Sequence, residues 1–244
     1  MPAAAEYMIA TMPASAKRIP DWSRIHTVFL DMDGTLLDLH FDNHFWLEHV
    51  PLRYGERHGL TPAEARQELL PRFRRMEGTL QWYCLDYWSR ELDLDILALK
   101  RERQHLIRVQ PHAEEFMRQV RRNGRRLVLV TNAHADALSL KLEHTRLDAH
   151  FDRIVSSHRF GTPKETTAFW ERLRELESFD PGSSLLADDS LPVLRAACDY
   201  GIRELVAMRR PDSRRPARDI DEFPAVETLA ELMPLKKRRV GSEG

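Results

Sequence analysis

Five short apolar runs limit what this chain can fold into: "TVFLD" (27–31), "RLVLVT" (126–131), "RIVSS" (153–157), "SLLAD" (184–188) and "ELVAM" (204–208). Each is too short for a core helix, and each is rich in leucine or β-branched residues. Near-continuous apolar character over four to six residues predicts strands covered on both faces. Between the later runs lie stretches with helical spacing and a charged face, "ADALSLKLEHT" and "KETTAFWERLRELE". Such alternation predicts a doubly wound α/β architecture with a parallel sheet. "NGR" (123–125) and "DPGS" (180–183) read as turns that end helices before the second and fourth strands.

Residues 39–110 break the rhythm. No strand-like run occurs there, while "TPAEARQELLPRFRRMEG" and "LDYWSRELDLDILALKRERQHLI" each read as one helix, the first opened by Thr61 and Pro62 with Glu64 in its first turn. The segment holds nine of the chain's twenty aromatic residues, from Phe41 to Trp88. A helical insert between the first strand and the rest of the sheet accounts for both facts. The rings at 82, 83, 87 and 88 cannot share one face of a helix, so some are expected at the boundary between insert and sheet. The expected layout is an arm over 1–20, a core of 21–38 and 111–230, a helical cap over 39–110 and a basic tail over 231–244.

A formal net charge of −1 gives no field that would recruit nucleic acid or an anionic membrane, and no partner of either kind is expected. Cys84 and Cys198 match no metal-ligand spacing, which points to reduced thiols and a cytoplasmic setting. The N-terminal stretch lacks a signal-type apolar core. "PLKKRRVGSEG" resembles a nuclear-import signal, but four basic residues near a chain end more simply form a solvated tail. The sequence leaves the oligomeric state open.

Ligands of open parallel sheets bind at the carboxyl ends of the strands. There the first strand delivers Asp31 and Asp33, the second Thr131 and Asn132, and the fourth Asp188, Asp189 and Ser190, while Lys164 follows the third in "FGTPKE". Strands often leave a core through Asp, Asn or Ser, so one such ending means little. Four converging on one edge define a chemistry. One carboxylate can attack a phosphoryl group, and a second can protonate the leaving oxygen and later activate water. Clustered aspartates suit Mg2+, and a hydroxyl and an ammonium can hold the remaining phosphate oxygens.

"DMDGT", a strand-terminal "VTN", a downstream lysine and "DDS" resemble the four motifs of the haloacid dehalogenase superfamily, over roughly residues 22–37 and 111–210. The resemblance implies a Rossmann-like core with an inserted cap. It implies Asp31 as nucleophile, Asp33 as general acid/base, and Thr131, Asn132 and Lys164 as phosphate binders. Mg2+ would be held by Asp31, Asp33 through its backbone carbonyl, and Asp189, with Asp188 supporting; which of Asp188 and Asp189 touches the ion stays open. "LDLHFDNHFWLEHVP", "QWYCLDYWSRELDLDI", "KLEHTRLDAHFD" and "FGTPKE" further resemble the bacterial GMP/IMP nucleotidases. That implies Mg2+-dependent hydrolysis of purine nucleoside 5′-monophosphates through an aspartyl-phosphate. A sugar phosphate or flavin mononucleotide is the alternative substrate.

The insert opens with Asp38, Phe41, Asn43 and Trp46, and the last three are candidates for substrate specificity, with hinge and cap core as the competing role. His134, just past "VTN", is a candidate neighbour of the site, while the remaining histidines match no zinc pattern.

Overall fold

The computed structural model describes residues 20–233 and 235. Six strands form one parallel sheet: β1 (Thr27–Leu30), β2 (Arg126–Thr131), β3 (Arg153–Ser156), β4 (Ser184–Asp188), β5 (Glu204–Met208) and β6 (Ala225–Val226), in the order β3-β2-β1-β4-β5-β6. All five expected strands are present, two of them one residue shorter. β6 was not foreseen, because two residues carry no periodicity.

The first helices are α1 (His40–His44), α2 (Val50–His58), α3 (Pro62–Met76), α4 (Leu85–Leu92) and α5 (Ile96–Glu102), all between β1 and β2. The others are α6 (Ala113–Arg122), α7 (Ala135–Thr145), α8 (Thr167–Leu176) and α9 (Leu191–Tyr200).

Alternation along the strands sorts the sheet into two layers. Val28, Leu30, Leu127 and Leu129 pack with Phe116, Met117 and Val120 of α6 and Leu140 of α7. Phe29, Val128, Val130 and Leu186 pack with Phe169, Trp170 and Leu173 of α8 and with Val193 and Leu194 of α9. The sheet is buried on both faces, as its strand composition requires.

The segment between β1 and β2 has its own core, in which Phe45, Tyr54, Leu69, Phe73, Trp88 and Ile96 are buried. The chain enters and leaves it side by side: the Asp38 amide donates to Arg108 O (2.9 Å) and the Gln110 amide to Leu36 O (2.8 Å). Between α1 and α2 the helix widens into a π segment, Phe45–His49. Pro51 has no N–H to give to Leu47, and the Leu47 carbonyl is met instead by Arg66 Nε of α3 (3.1 Å). α3 opens as its sequence predicts, with Thr61 and Glu64 closing a reciprocal capping box.

The run expected as one helix from 85 to 107 is broken. Asp93 takes a left-handed conformation (φ 51°), and Asp95 caps α5 by accepting from the Ala98 amide (2.9 Å). The N-terminal arm lies outside the described residues apart from Pro20. Of the expected basic tail, the part described is no tail: Leu232 and Leu235 are buried, and Leu232 O accepts from Trp22 Nε1 (3.1 Å).

Candidate active site

Asp31 stands one residue past β1, in the centre of the sheet. The chain then turns back on itself, with the Leu36 and Leu37 amides donating to Met32 O (3.0 and 2.8 Å). Gly34 makes that turn at φ +90°, and a Cβ there would lie 2.7 Å from Asp189 Cγ and 2.9 Å from Pro211 Cβ. Only glycine admits so close an approach between the first and fourth motifs.

Lys164 reaches the same point from the loop after β3. Its ammonium is buried and donates to Asp31 Oδ1 (2.6 Å), Asp188 Oδ2 (2.7 Å) and Val130 O (3.2 Å). Asn132 Oδ1 accepts from the Lys164 amide (3.0 Å), while its Nδ2 donates to Glu165 Oε2 (2.8 Å). Thr131 ends β2, buried, with its hydroxyl accepting from the Ala133 amide (3.0 Å). Asp188 has both oxygens engaged, Oδ2 by Lys164 and Oδ1 by the Ser190 amide (2.8 Å). Among the described residues, Asp189 has no nearer charge partner than Arg218, at 3.9 Å.

Burial is the largest influence on these acids. It pushes the Asp31 carboxyl up to about 7, against the pull of Lys164 and with added repulsion from Asp188. Asp33 is likewise raised, to about 6, by burial, with Lys141 opposing and Asp42 and Asp31 adding. Asp189 lies well above the usual carboxylate range because burial, Asp188 and Asp31 all disfavour its charge. Asp31, Asp188 and Asp189 each bring an oxygen within 4.8 Å of the others. Three crowded carboxylates, two of them bonded to the Lys164 ammonium and all disfavoured as bare charges by burial, form an all-oxygen donor set that fits a hard divalent cation such as Mg2+.

Three residues here were not singled out from sequence. Lys141 of α7, 2% exposed at its side chain, donates to Asp33 Oδ1 and to Asp42 Oδ2, both at 2.7 Å. Asp42 of α1 also accepts from the buried Lys100 of α5 (2.8 Å). The two lysines hold the Asp42 carboxyl well below its ordinary range although burial would raise it. A readable signal existed. Ala137, Leu140 and Lys141, and Ile96, Leu99 and Lys100, are i, i+3, i+4 sets on the buried stripes of their helices, so each lysine stands where an apolar residue is expected.

These side chains line a cavity of about 500 Å³ between sheet and insert. Its far wall is aromatic, with Trp46, Phe73 and Trp82 in mutual contact at centroid distances of 5.5, 5.7 and 5.9 Å. Of the candidate specificity residues, Trp46 and Asn43 line the cavity, and Asn43 Nδ2 also donates to Asp212 Oδ2 (2.7 Å). Phe41 does not. It is 1% exposed, packs into the core layer, and carries the Lys100 and Lys141 ammonium groups 4.9 and 5.4 Å from its ring centre. Its ring face seats the buried cations, which removes it from any substrate-facing role. His134 caps α7, lines the cavity, and lies 3.7 Å from Asp86 of the insert. Tyr83 crosses the same boundary to Glu165 Oε1 (2.7 Å). Arg74 and Glu77, at the end of α3, also line the cavity, and among the described residues neither side chain has a partner.

The haloacid dehalogenase-like hydrolase family matches residues 25–199. The chain is 40% identical over 213 residues to the GMP/IMP nucleotidase YrfG of Escherichia coli K12, covering 87% of this chain and 96% of that protein. A HAD phosphatase from Thermococcus onnurineus superposes with a TM-score of 0.72 at 23% identity, over 85% of this chain and 96% of that one. The HAD-hydrolase YfnB of Bacillus subtilis, solved bound to magnesium, superposes at 0.62 and 17% identity, over 86% and 97%. These two likenesses speak to the fold. With its motifs gathered at one sheet edge and a match spanning most of its length, the chain belongs to the haloacid dehalogenase-like hydrolases.

Proposed function

We propose that this hydrolase cleaves purine nucleoside 5′-monophosphates, GMP and IMP, to nucleoside and phosphate. The observation that carries the reading is the two-sided cavity, with carboxylates and an ammonium from the sheet on one side and a wall of three aromatic rings from the insert on the other. A flat, apolar base with a charged phosphate matches that division, and base–aromatic stacking contributes about 1–3 kcal/mol at comparable sites. The relative from Escherichia coli, a GMP/IMP nucleotidase by name, supports the same class.

Asp31 attacks phosphorus, and the bond from phosphorus to the 5′-oxygen breaks with its electron pair on that oxygen. Asp33 supplies the proton that makes it a hydroxyl. Asp33 then takes a proton from water, which displaces the aspartyl group and frees phosphate. Lys164 orients Asp31 through Oδ1 and, with Thr131 and Asn132, binds phosphate oxygens. Asp31, Asp189 and the Asp33 backbone carbonyl would hold Mg2+, which offsets phosphate charge when bound. Asp189 is preferred over Asp188 because the latter has both oxygens engaged.

Asp33 argues against dehalogenation, since a departing halide needs no proton. Arg74 and Glu77 suit the edge of a 6-oxopurine: an arginine donates to O6, and a carboxylate accepts from N1–H. Adenine presents the opposite pattern, so AMP is disfavoured. The test is phosphate release from GMP, IMP, AMP, flavin mononucleotide and sugar phosphates, with and without Mg2+. GMP and IMP are expected to lead, and a sugar phosphate or flavin mononucleotide ahead of both overturns the reading.

A further inference from the structure

The buried side chains of Lys100, Asp42 and Lys141 are assigned neither to phosphate nor to metal, yet their chain of contacts ends on the Asp33 carboxylate. We propose that Lys141 is a positioning residue for Asp33, held in place from the cap by Asp42, so that leaving-group protonation depends on a contact across the boundary between cap and core.

Asp33 lies in the loop after β1 and Lys141 on α7, both in the core, whereas Asp42 and Lys100 belong to the insert. Lys141 Nζ bridges the two carboxylates at 2.7 Å each. An ammonium fixed on Asp33 Oδ1 leaves Oδ2 as the oxygen that carries the proton, so one contact sets both the rotamer and the donating atom. Lysine is otherwise a flexible side chain that loses much rotamer freedom on ordering. Here it is immobilised from three directions, by Asp33, by Asp42 and by the Phe41 ring face. Asp42 is fixed in turn by Lys100, whose ammonium sits 4.3 Å from the Phe45 ring centre. Isolated buried lysines are costly, and two beside one aspartate make sense where a geometry must be held. The chain contains no direct contact between Lys100 and Asp33, which separates the end that acts on the acid from the end that anchors the network.

The inference rests on Asp33 being the acid that protonates the leaving oxygen, and the experiment tests both. An alkoxide needs a proton to depart, whereas p-nitrophenoxide leaves without one. The measurement is kcat/KM, which reports the phosphoryl-transfer half alone, for propyl phosphate and p-nitrophenyl phosphate with Mg2+ present. Asp33→Asn should lower the propyl-to-aryl ratio strongly. Lys141→Met should lower it by about 100-fold, the cost of a misplacement near 1 Å. Asp42→Asn, which frees Lys141 with little change in volume, should lower it in the same direction and keeps the question open to test if Lys141→Met does not fold. Lys100→Met removes an equally buried cation from the same network but should lower the ratio clearly less than Lys141→Met, because Asp42 keeps its bond to Lys141.

An unchanged ratio in Asp33→Asn defeats the acid assignment and the inference with it. A fall in Asp33→Asn with no fall in folded Lys141→Met or Asp42→Asn overturns the inference alone. Equal falls in Lys141→Met and Lys100→Met also overturn it, because the network is then only packing.

Discussion

The two sides of the cavity are built in different ways. On the sheet side, side chains from four strand ends are locked by short bonds, and Lys164 alone makes contacts of 2.6 and 2.7 Å with two acids. On the cap side, tilted and edge-on rings meet at 5.5–5.9 Å, and Arg74 and Glu77 stand without partners among the described residues. The first side is fixed by parallel register: Leu30 lies beside Leu129 and Ala187, so the residues that follow all three strands arrive together. The second is fixed by packing among rings, which accepts substitution at moderate cost. On the function proposed above, one side would set the reaction and the other would set which molecule undergoes it.

The largest expected effect comes from the sheet side. Asp31→Asn should lower kcat/KM for GMP and for p-nitrophenyl phosphate alike, by at least about 10³-fold, with the fold retained by circular dichroism. A loss confined to GMP would break the division between the two sides. Chelation should likewise silence both substrates, by more than about 100-fold, with recovery on adding Mg2+ but not Zn2+ at an all-oxygen site. Full turnover by chelated protein would remove the ion from the account.

Effects on the cap side should be smaller and selective. Trp46→Ala should lower kcat/KM for GMP by roughly ten- to a hundredfold, matching the loss of one stacking contact, and p-nitrophenyl phosphate much less. Phe41→Ala is the contrast within the cap. Unfolding in urea should show a loss of about 3–5 kcal/mol, with the ratio of GMP to propyl phosphate, both alkyl esters, unchanged. A loss of GMP hydrolysis beyond that of propyl phosphate would return Phe41 to the substrate. The smallest change is Glu77→Gln, which should narrow the preference for GMP over AMP by about fivefold, near 1 kcal/mol for an exposed hydrogen bond.

The same contrast explains what could be read from the chain. Strand positions and the four motif endings were legible because apolar runs and their polar ends are local patterns. Asp33 and Lys164 could be named without knowing where the chain goes. Asp42 and Lys141 could not be paired, since they lie far apart in sequence and meet only when α1 settles on α7. Proximity along the chain misled at Phe41: it lies near the loop of Asp31 and Asp33 in sequence, but helical rotation turns it from Trp46 and Asn43 into the core layer. The break at Asp93 was hidden for another reason. Aspartate adopts a left-handed conformation more readily than most residues, yet nothing in "LDLDI" says which of its two aspartates will.

Placing the cap inside the sheet's first crossover has a cost during synthesis. β1 is the central strand, yet its neighbours begin at Arg126 and Ser184. At 5–20 residues per second, a ribosome delivers the first of them about 5–20 s after β1 has emerged. In that interval the whole of the insert's helical sequence appears and can close its own core, which draws on nothing beyond Leu99 except Ala137. The nascent chain would then hold a cap whose core residues are all but one synthesised, attached to an unpaired apolar strand. That strand is brief, with Val28, Phe29 and Leu30 its apolar residues, and His26 and Asp31 flank it as charged or polar gatekeepers against pairing with another chain. The aspartate proposed to attack phosphate would in this way protect the strand that carries it before the site exists.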